Sequence, residues 1–278
     1  MPPKFSPIIL LVNLVALVAV FRPAAAADQS GWDGDQRAAV RLIAAAQRGE
    51  GDATRHQAGV EVRLAPGWKT YWRYPGDSGI PPRFDFTASR NLKTVTIRYP
   101  APHRLADEGG TSIGYKGGVV FPLEIVPQDP AQPVELSVAL DYAVCEKICV
   151  PAEGKAELTI TGKPGAQDGW LARNAALVPV PARLGDTGVL AIRAARREDK
   201  RIVVDVAAPA GALEVFAEGP APDWALPVPA PIEGAPAGLQ RFAFELEGLP
   251  PNTRPEGAVL RLTAVAGGQA IEVPFRLD

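Results

Sequence analysis

The chain is short of the residues that build most active sites. It has two cysteines, two histidines and one methionine in 278 residues. The histidines, His56 and His103, stand singly and far apart, so they do not complete a zinc site with the cysteines. No metal and no cofactor is expected. Charge of one sign is lacking too: 29 basic residues face 31 acidic ones, a net charge of −2, with no basic patch. That leaves neither nucleic acid nor an anionic membrane surface as an obvious partner. The glycine pairs Gly109-Gly110 and Gly117-Gly118 have no strand-to-helix setting, so phosphate binding is unsupported. Asp77, Asp107, Glu108 and Asp141 do not show the spacing of a hydrolase's paired acids. The one long apolar run, Ile8 to Val20, is shorter than the span of about 20 residues that a transmembrane helix needs.

That run is flanked by Lys4 on one side and by Arg22-Pro-Ala-Ala-Ala-Ala27 on the other. A basic start, a short apolar core and a small-residue end make a secretory signal peptide over residues 1–27, the competing reading being an uncleaved anchor. Cleavage after Ala27 removes two basic residues and no acid, which takes the charge from −2 to −4. The expected protein is exported and soluble, in a compartment where disulfides persist.

The remainder, about 250 residues, is expected to be all-β. Val60–Leu64, Val95–Tyr99, Leu158–Ile160, Ile202–Val206, Phe242–Leu246, Leu260–Ala264 and Ile271–Phe275 alternate apolar and polar at period two, as half-buried strands do. With 29 prolines and 27 glycines spread between them, such strands indicate sandwiches or barrels. Helical periodicity is confined to a short pattern from Asp168 to Leu177. It lies between Gly162-Lys-Pro-Gly165 and a proline-rich stretch, and a boundary near residue 165 divides the chain into 28–164 and 165–278.

The two cysteines sit four positions apart in Asp141-Tyr-Ala-Val-Cys-Glu-Lys-Ile-Cys-Val-Pro151. From Val134 to Val144 the even positions are apolar, so a strand buries its even face and Cys145 ends it on the small, polar side. Glu146-Lys-Ile148 turns the chain and Cys149 opens the return strand, an arrangement that brings the two Cα atoms within disulfide reach. Pro151 suits an edge position for that strand. Lys147 favours a thiolate and Glu146 offsets it. A bond over so short a loop removes little chain entropy, which favours redox exchange over a structural staple without eliminating the staple. The aromatics Trp68, Tyr71, Trp72 and Tyr74 have core packing as their ordinary reading.

Three segments carry a resemblance. Gly67-Trp-Lys-Thr-Tyr-Trp-Arg-Tyr-Pro-Gly-Asp-Ser-Gly-Ile-Pro-Pro82, Gly114-Tyr-Lys-Gly-Gly-Val-Val-Phe-Pro-Leu123 and Tyr142–Pro151 occur in this order. Together they resemble the N-terminal periplasmic domain of DsbD-type thiol:disulfide interchange proteins, with a closer likeness to the two-domain periplasmic portion of ScsB-type proteins. The resemblance spans roughly residues 35–163. It implies two immunoglobulin-like sandwiches, the first with a cysteine pair that shuttles electrons, making the protein a thiol:disulfide oxidoreductase. Cys149 would form mixed disulfides and Cys145 would resolve them. Tyr71 matches an aromatic position near the sulfurs, and residues 107–117 match a cap loop. Asp107, Glu108, Ile113 and Tyr115 would thus surround the site, with Ile113 or Tyr115 as lid because Gly109 replaces the usual aromatic. The implied partners are thioredoxin-like domains, a separate transmembrane reductant and periplasmic disulfide acceptors. Cytochrome assembly, isomerase recycling and copper defence are the services such carriers give, and the residues do not choose among them. A noncatalytic binding or adaptor module held by a disulfide is the alternative function.

Overall fold

The computed structural model describes residues 27–76, 79–107 and 110–278. The expected signal peptide, apart from Ala27, lies outside the described residues, as do Asp77, Glu108, Gly109 and the side chain of Asp107. The chain is all-β and forms two sandwiches of two sheets each.

The first sandwich begins with β1 (Asp33–Gly34), β2 (Ala38–Arg48), β3 (Arg55–Leu64) and β4 (Lys69–Gly76). It continues through β5 (Arg83–Asp85), β6 (Leu92–Ile97), β7 (His103–Asp107) and β8 (Gly110–Lys116). Then come β9 (Gly118–Pro127), β10 (Val134–Cys145) and β11 (Cys149–Ile160). One sheet has the order β1-β2-β3-β9-β6 and the other β11-β10-β4-β8-β7, with β5 also pairing β10. Along β10 the burial alternates as its sequence does from Val134 to Asp141. From Tyr142 to Cys145 every residue is buried, because the end of the strand is covered on both faces.

A single helix, α1 (Asp168–Ala175), follows the first sandwich. Its position corrects the expected grouping: Leu171 is buried with Ile43, Ala45 and Val120, so the helix packs on the outer face of β2 and β9. Gly59 on β3 leaves the slot open, since a Cβ there would sit 2.9 Å from both the Leu171 Cδ1 and Val120 Cγ1 atoms. The Asp168 carboxylate accepts the backbone N–H of Ala46 and pins the helix end to β2. Burying Leu171 contributes about 1.5–3 kcal/mol. This cover also explains why β2, rich in alanine, is buried on both faces.

The second sandwich holds β12 (Val180–Pro181), β13 (Ala191–Glu198), β14 (Arg201–Ala207) and β15 (Leu213–Glu218). It is completed by β16 (Ala230–Ile232), β17 (Gln240–Glu245), β18 (Val259–Ala266) and β19 (Gln269–Arg276). Its sheets have the orders β12-β19-β18-β15 and β13-β14-β17-β16. The buried apolar residues of both sandwiches form one connected cluster.

Polar contacts add to that junction. The Glu214 carboxylate accepts the backbone N–H of Arg104 at 2.8 Å and lies 3.4 Å from the Nδ1 atom of His103. The hydrogen bond to Glu214 raises the pKa of His103, against a smaller opposing effect of burial. A raised folded-state pKa stabilises the fold below the ordinary imidazole value of 6.5, and the contribution is lost as pH rises through the folded value. Melting temperature measured from pH 5 to 9 should therefore fall slightly at the upper end in wild type. In His103→Gln that step should be missing. An identical profile in the two proteins would remove His103 from the junction's energetics.

Candidate functional site

The cysteine hairpin is a ladder closed by its own ends. β10 and β11 pair in unbroken register from Val134↔Ile160 to Cys145↔Cys149, and Glu146-Lys-Ile148 forms the turn. The cysteines are directly opposed, with Cα atoms 4.1 Å apart, and are joined as a disulfide. Their surroundings differ. Cys145 is 1% exposed, whereas Cys149 is open to solvent, and Ile148 beside it is 75% exposed. Glu146 and Lys147 are both exposed at the tip.

Burial of Cys145 comes from β4. That strand pairs with β10 through Lys69↔Cys145 and Thr70↔Val144. Alternation then puts Lys69 and Tyr71 on the same face as Cys145 and Ala143. Tyr71 is 1% exposed, and its hydroxyl lies 2.7 Å from the Cys145 Sγ atom and 3.1 Å from that of Cys149. Tyr71, Ala143 and Cys145 form a small buried cluster apart from the main core. Lys69, also buried, donates from Nζ to the Ser112 Oγ atom at 2.9 Å. The family resemblance implied an aromatic near the sulfurs, but the register that carries Lys69 to this face was not legible, because it joins strands 76 positions apart.

Ile113 and Tyr115 are not lids. They lie on β8, which pairs with both β4 and β7 and is not a loose cap. The pairing Tyr71↔Gly114 places residues 112, 114 and 116 on the cysteine face and turns 113 and 115 to the other side. There Ile113 is 1% exposed in the main core. Tyr115 packs edge-on to Phe121 and donates its hydroxyl to the Pro100 carbonyl. Desolvation by this burial holds the Tyr115 phenol well above its ordinary pKa. Gly114 lets the strands approach, since a Cβ there would sit 2.0 Å from the Thr70 carbonyl oxygen. The same alternation was available in the sequence, where Ile113-Gly-Tyr115 has the spacing of an inward-facing pair.

Among the described residues no group of three or more His, Cys, Asp or Glu side chains is placed to hold a metal ion. Chemically the site offers one solvent-facing sulfur, one shielded sulfur and a phenol hydroxyl on both. A disulfide is an electrophile toward thiolates, and here its two sulfurs differ in access.

No curated protein matches the chain. The solved N-terminal periplasmic domain of ScsB from Proteus mirabilis aligns over 90% of this chain and 98% of its own, with a TM-score of 0.70 and 20% identity, a likeness of fold alone. The tandem Ig repeats of Dlar align over 89% of this chain and 99% of their own, with 10% identity and a TM-score of 0.20, too low to carry an argument. A model of the family described as thiol:disulfide interchange protein DsbD, N-terminal, matches residues 39–161, a span that includes Tyr71, both cysteines and the hairpin between them. Residues 39–161 thus match the DsbD-type N-terminal family of thiol:disulfide interchange proteins.

Proposed function

We propose that the thiol–disulfide exchange module at residues 39–161 works as a periplasmic electron carrier. It takes electrons from a membrane-bound thioredoxin-like reductant and passes them to disulfides of other periplasmic proteins. The observation that carries this reading is the unequal exposure of the two sulfurs under one hydroxyl.

In the loading half-reaction the partner's thiolate attacks the exposed Cys149 sulfur. A mixed disulfide forms, the Cys145–Cys149 bond breaks, and Cys145 leaves as a thiolate. The Tyr71 hydroxyl donates a hydrogen bond to that leaving sulfur. The partner's second thiolate then attacks its own sulfur in the mixed disulfide and releases Cys149. Two electrons have entered the pair, the partner is oxidised to its disulfide, and the two cysteine thiolates take up protons. Unloading reverses the roles: the Cys149 thiolate attacks an acceptor disulfide, and Cys145 resolves the mixed disulfide. Exposed Ile148 gives a docking partner an apolar contact beside the reactive sulfur.

The deciding experiment is the reduction potential of the Cys145–Cys149 bond, by equilibration with a glutathione or dithiothreitol couple. An exchange-active bond lies above about −300 mV, and a value well below that marks a structural staple and ends the carrier reading. Tyr71→Phe should slow reduction by a small dithiol by about tenfold to a hundredfold, since it removes the donor at the leaving sulfur. A wild-type rate in this variant removes the hydroxyl from the mechanism.

A further inference from the structure

Strand β4 shifts register immediately after the residue that touches the sulfurs, and pairs with β8 again only at Gly76↔Ser112. Its pairing with β10 consists of Lys69↔Cys145 and Thr70↔Val144, and from Asp141 back to Ala139 β10 is paired by β5 instead. Its pairing with β8 breaks between Tyr71 and Gly76. Residues 72–75 of β4 thus lie where its register with β8 shifts.

The second sandwich grips this stretch. The Trp72 indole, fully buried, packs on the Phe216 ring with centroids 5.8 Å apart. The Arg73 guanidinium donates twice to the Glu218 carboxylate at 2.7 Å and also to Glu272. The Tyr74 hydroxyl donates to the Trp224 carbonyl and accepts the backbone N–H of Leu226. Register gathers Phe216, Glu218 and Glu272 on one face of a sheet, through Phe216↔Thr263↔Glu272 and Glu218↔Arg261. Glu218 is 5% exposed and faces two cations, Arg73 first and Arg261 at 3.9 Å. The Arg73 guanidinium also lies over the Trp72 ring, 4.7 Å from its centroid, so contacts to residues 72, 73 and 74 in turn hold this part of the strand in place.

We propose that the second sandwich is a working part of the redox site, with Arg73 and Tyr74 as positioning residues that hold β4 so that the Tyr71 hydroxyl stays on both sulfurs. The inference rests on the exchange reading above and adds the role of the second domain to it. Tyr71 is the last residue paired in register before the shift, so its backbone orientation is set on one side by the sheet and on the other by this grip. The second domain then acts on the chemistry at a distance, through three consecutive residues.

The test uses the full chain and the rate at which a small dithiol reduces the disulfide. Tyr74→Phe keeps the ring and removes both hydrogen bonds. Glu218→Gln keeps the shape and removes the charge that faces Arg73, and it serves alone should Tyr74→Phe fail to fold. Each should slow reduction by about threefold to tenfold, as small misplacements of a reacting group do. The Tyr71→Phe/Tyr74→Phe double variant should be no slower than Tyr71→Phe alone, because both changes act through one hydroxyl. A merely structural role predicts something else: lower melting temperatures with wild-type rates, or rate effects that multiply in the double variant. Either result overturns the inference. A wild-type rate in Tyr71→Phe alone instead strikes the proposed mechanism, and takes the inference down with it.

Discussion

Cys149→Ser abolishes thiol–disulfide exchange and leaves both sandwiches folded. The chemical half follows from access: Cys149 is the sulfur that an incoming thiolate can reach in line, whereas Cys145 is 1% exposed beneath Tyr71. The structural half follows from loop length. Closing a loop of four positions removes chain entropy worth about 2 kcal/mol, against a typical domain stability of 5–15 kcal/mol. The hairpin has other support, in a register that runs unbroken to Val134↔Ile160. The complementary variant, Cys145→Ala, should form a mixed disulfide through Cys149 and hold it, because the resolving thiol is gone. Non-reducing gels and mass spectrometry after incubation with a thioredoxin-like dithiol protein read the adduct. Unfolding of Cys149→Ser at ambient temperature would return the bond to the role of a staple. Adducts in Cys149→Ser and none in Cys145→Ala would reverse the order of the two thiols.

How much of this was legible in advance depends on whether the signal was local. The cysteine hairpin was, since alternation in Val134–Val144 and a three-residue turn fix the register of neighbours in sequence. The seven alternating segments all lie in strands, with Val95–Tyr99 and Phe242–Leu246 each overrunning the strand end. The short helical pattern became α1, yet its allegiance was hidden, because Leu171 docks on strands whose outer face looks like surface until a helix covers it. Strand β2 went unread for the same reason: buried on both faces, Ala38-Ala-Val-Arg-Leu-Ile-Ala-Ala-Ala46 shows no period of two. The site divides the same way. The pair of sulfurs is local, whereas the approach of β4 to β10 and of Phe216 to Trp72 is long-range pairing that leaves no mark on either segment.

Replacing Ile113 and Tyr115 by alanine destabilises the first sandwich and does not open a gate. Both side chains point away from the sulfurs into the main core, at 1% and 5% exposure. Each truncation leaves a cavity in that core, and the Tyr115 change also removes the edge-on partner of Phe121 and strips the Pro100 carbonyl of its phenol donor. Large-to-small changes at such positions cost about 2–5 kcal/mol each, so the double variant sits near or beyond the whole stability of an ordinary domain. Urea titration should show the midpoint falling with each single change. The folded fraction of either single variant, measured well below its midpoint, should reduce and reoxidise at the wild-type rate, since the cysteine face carries residues 112, 114 and 116 instead. Faster oxidation of the reduced pair in a variant of unchanged stability would restore these side chains as a lid. That outcome requires them to lie over the sulfurs, which the pairing of Gly114 with Tyr71 opposes.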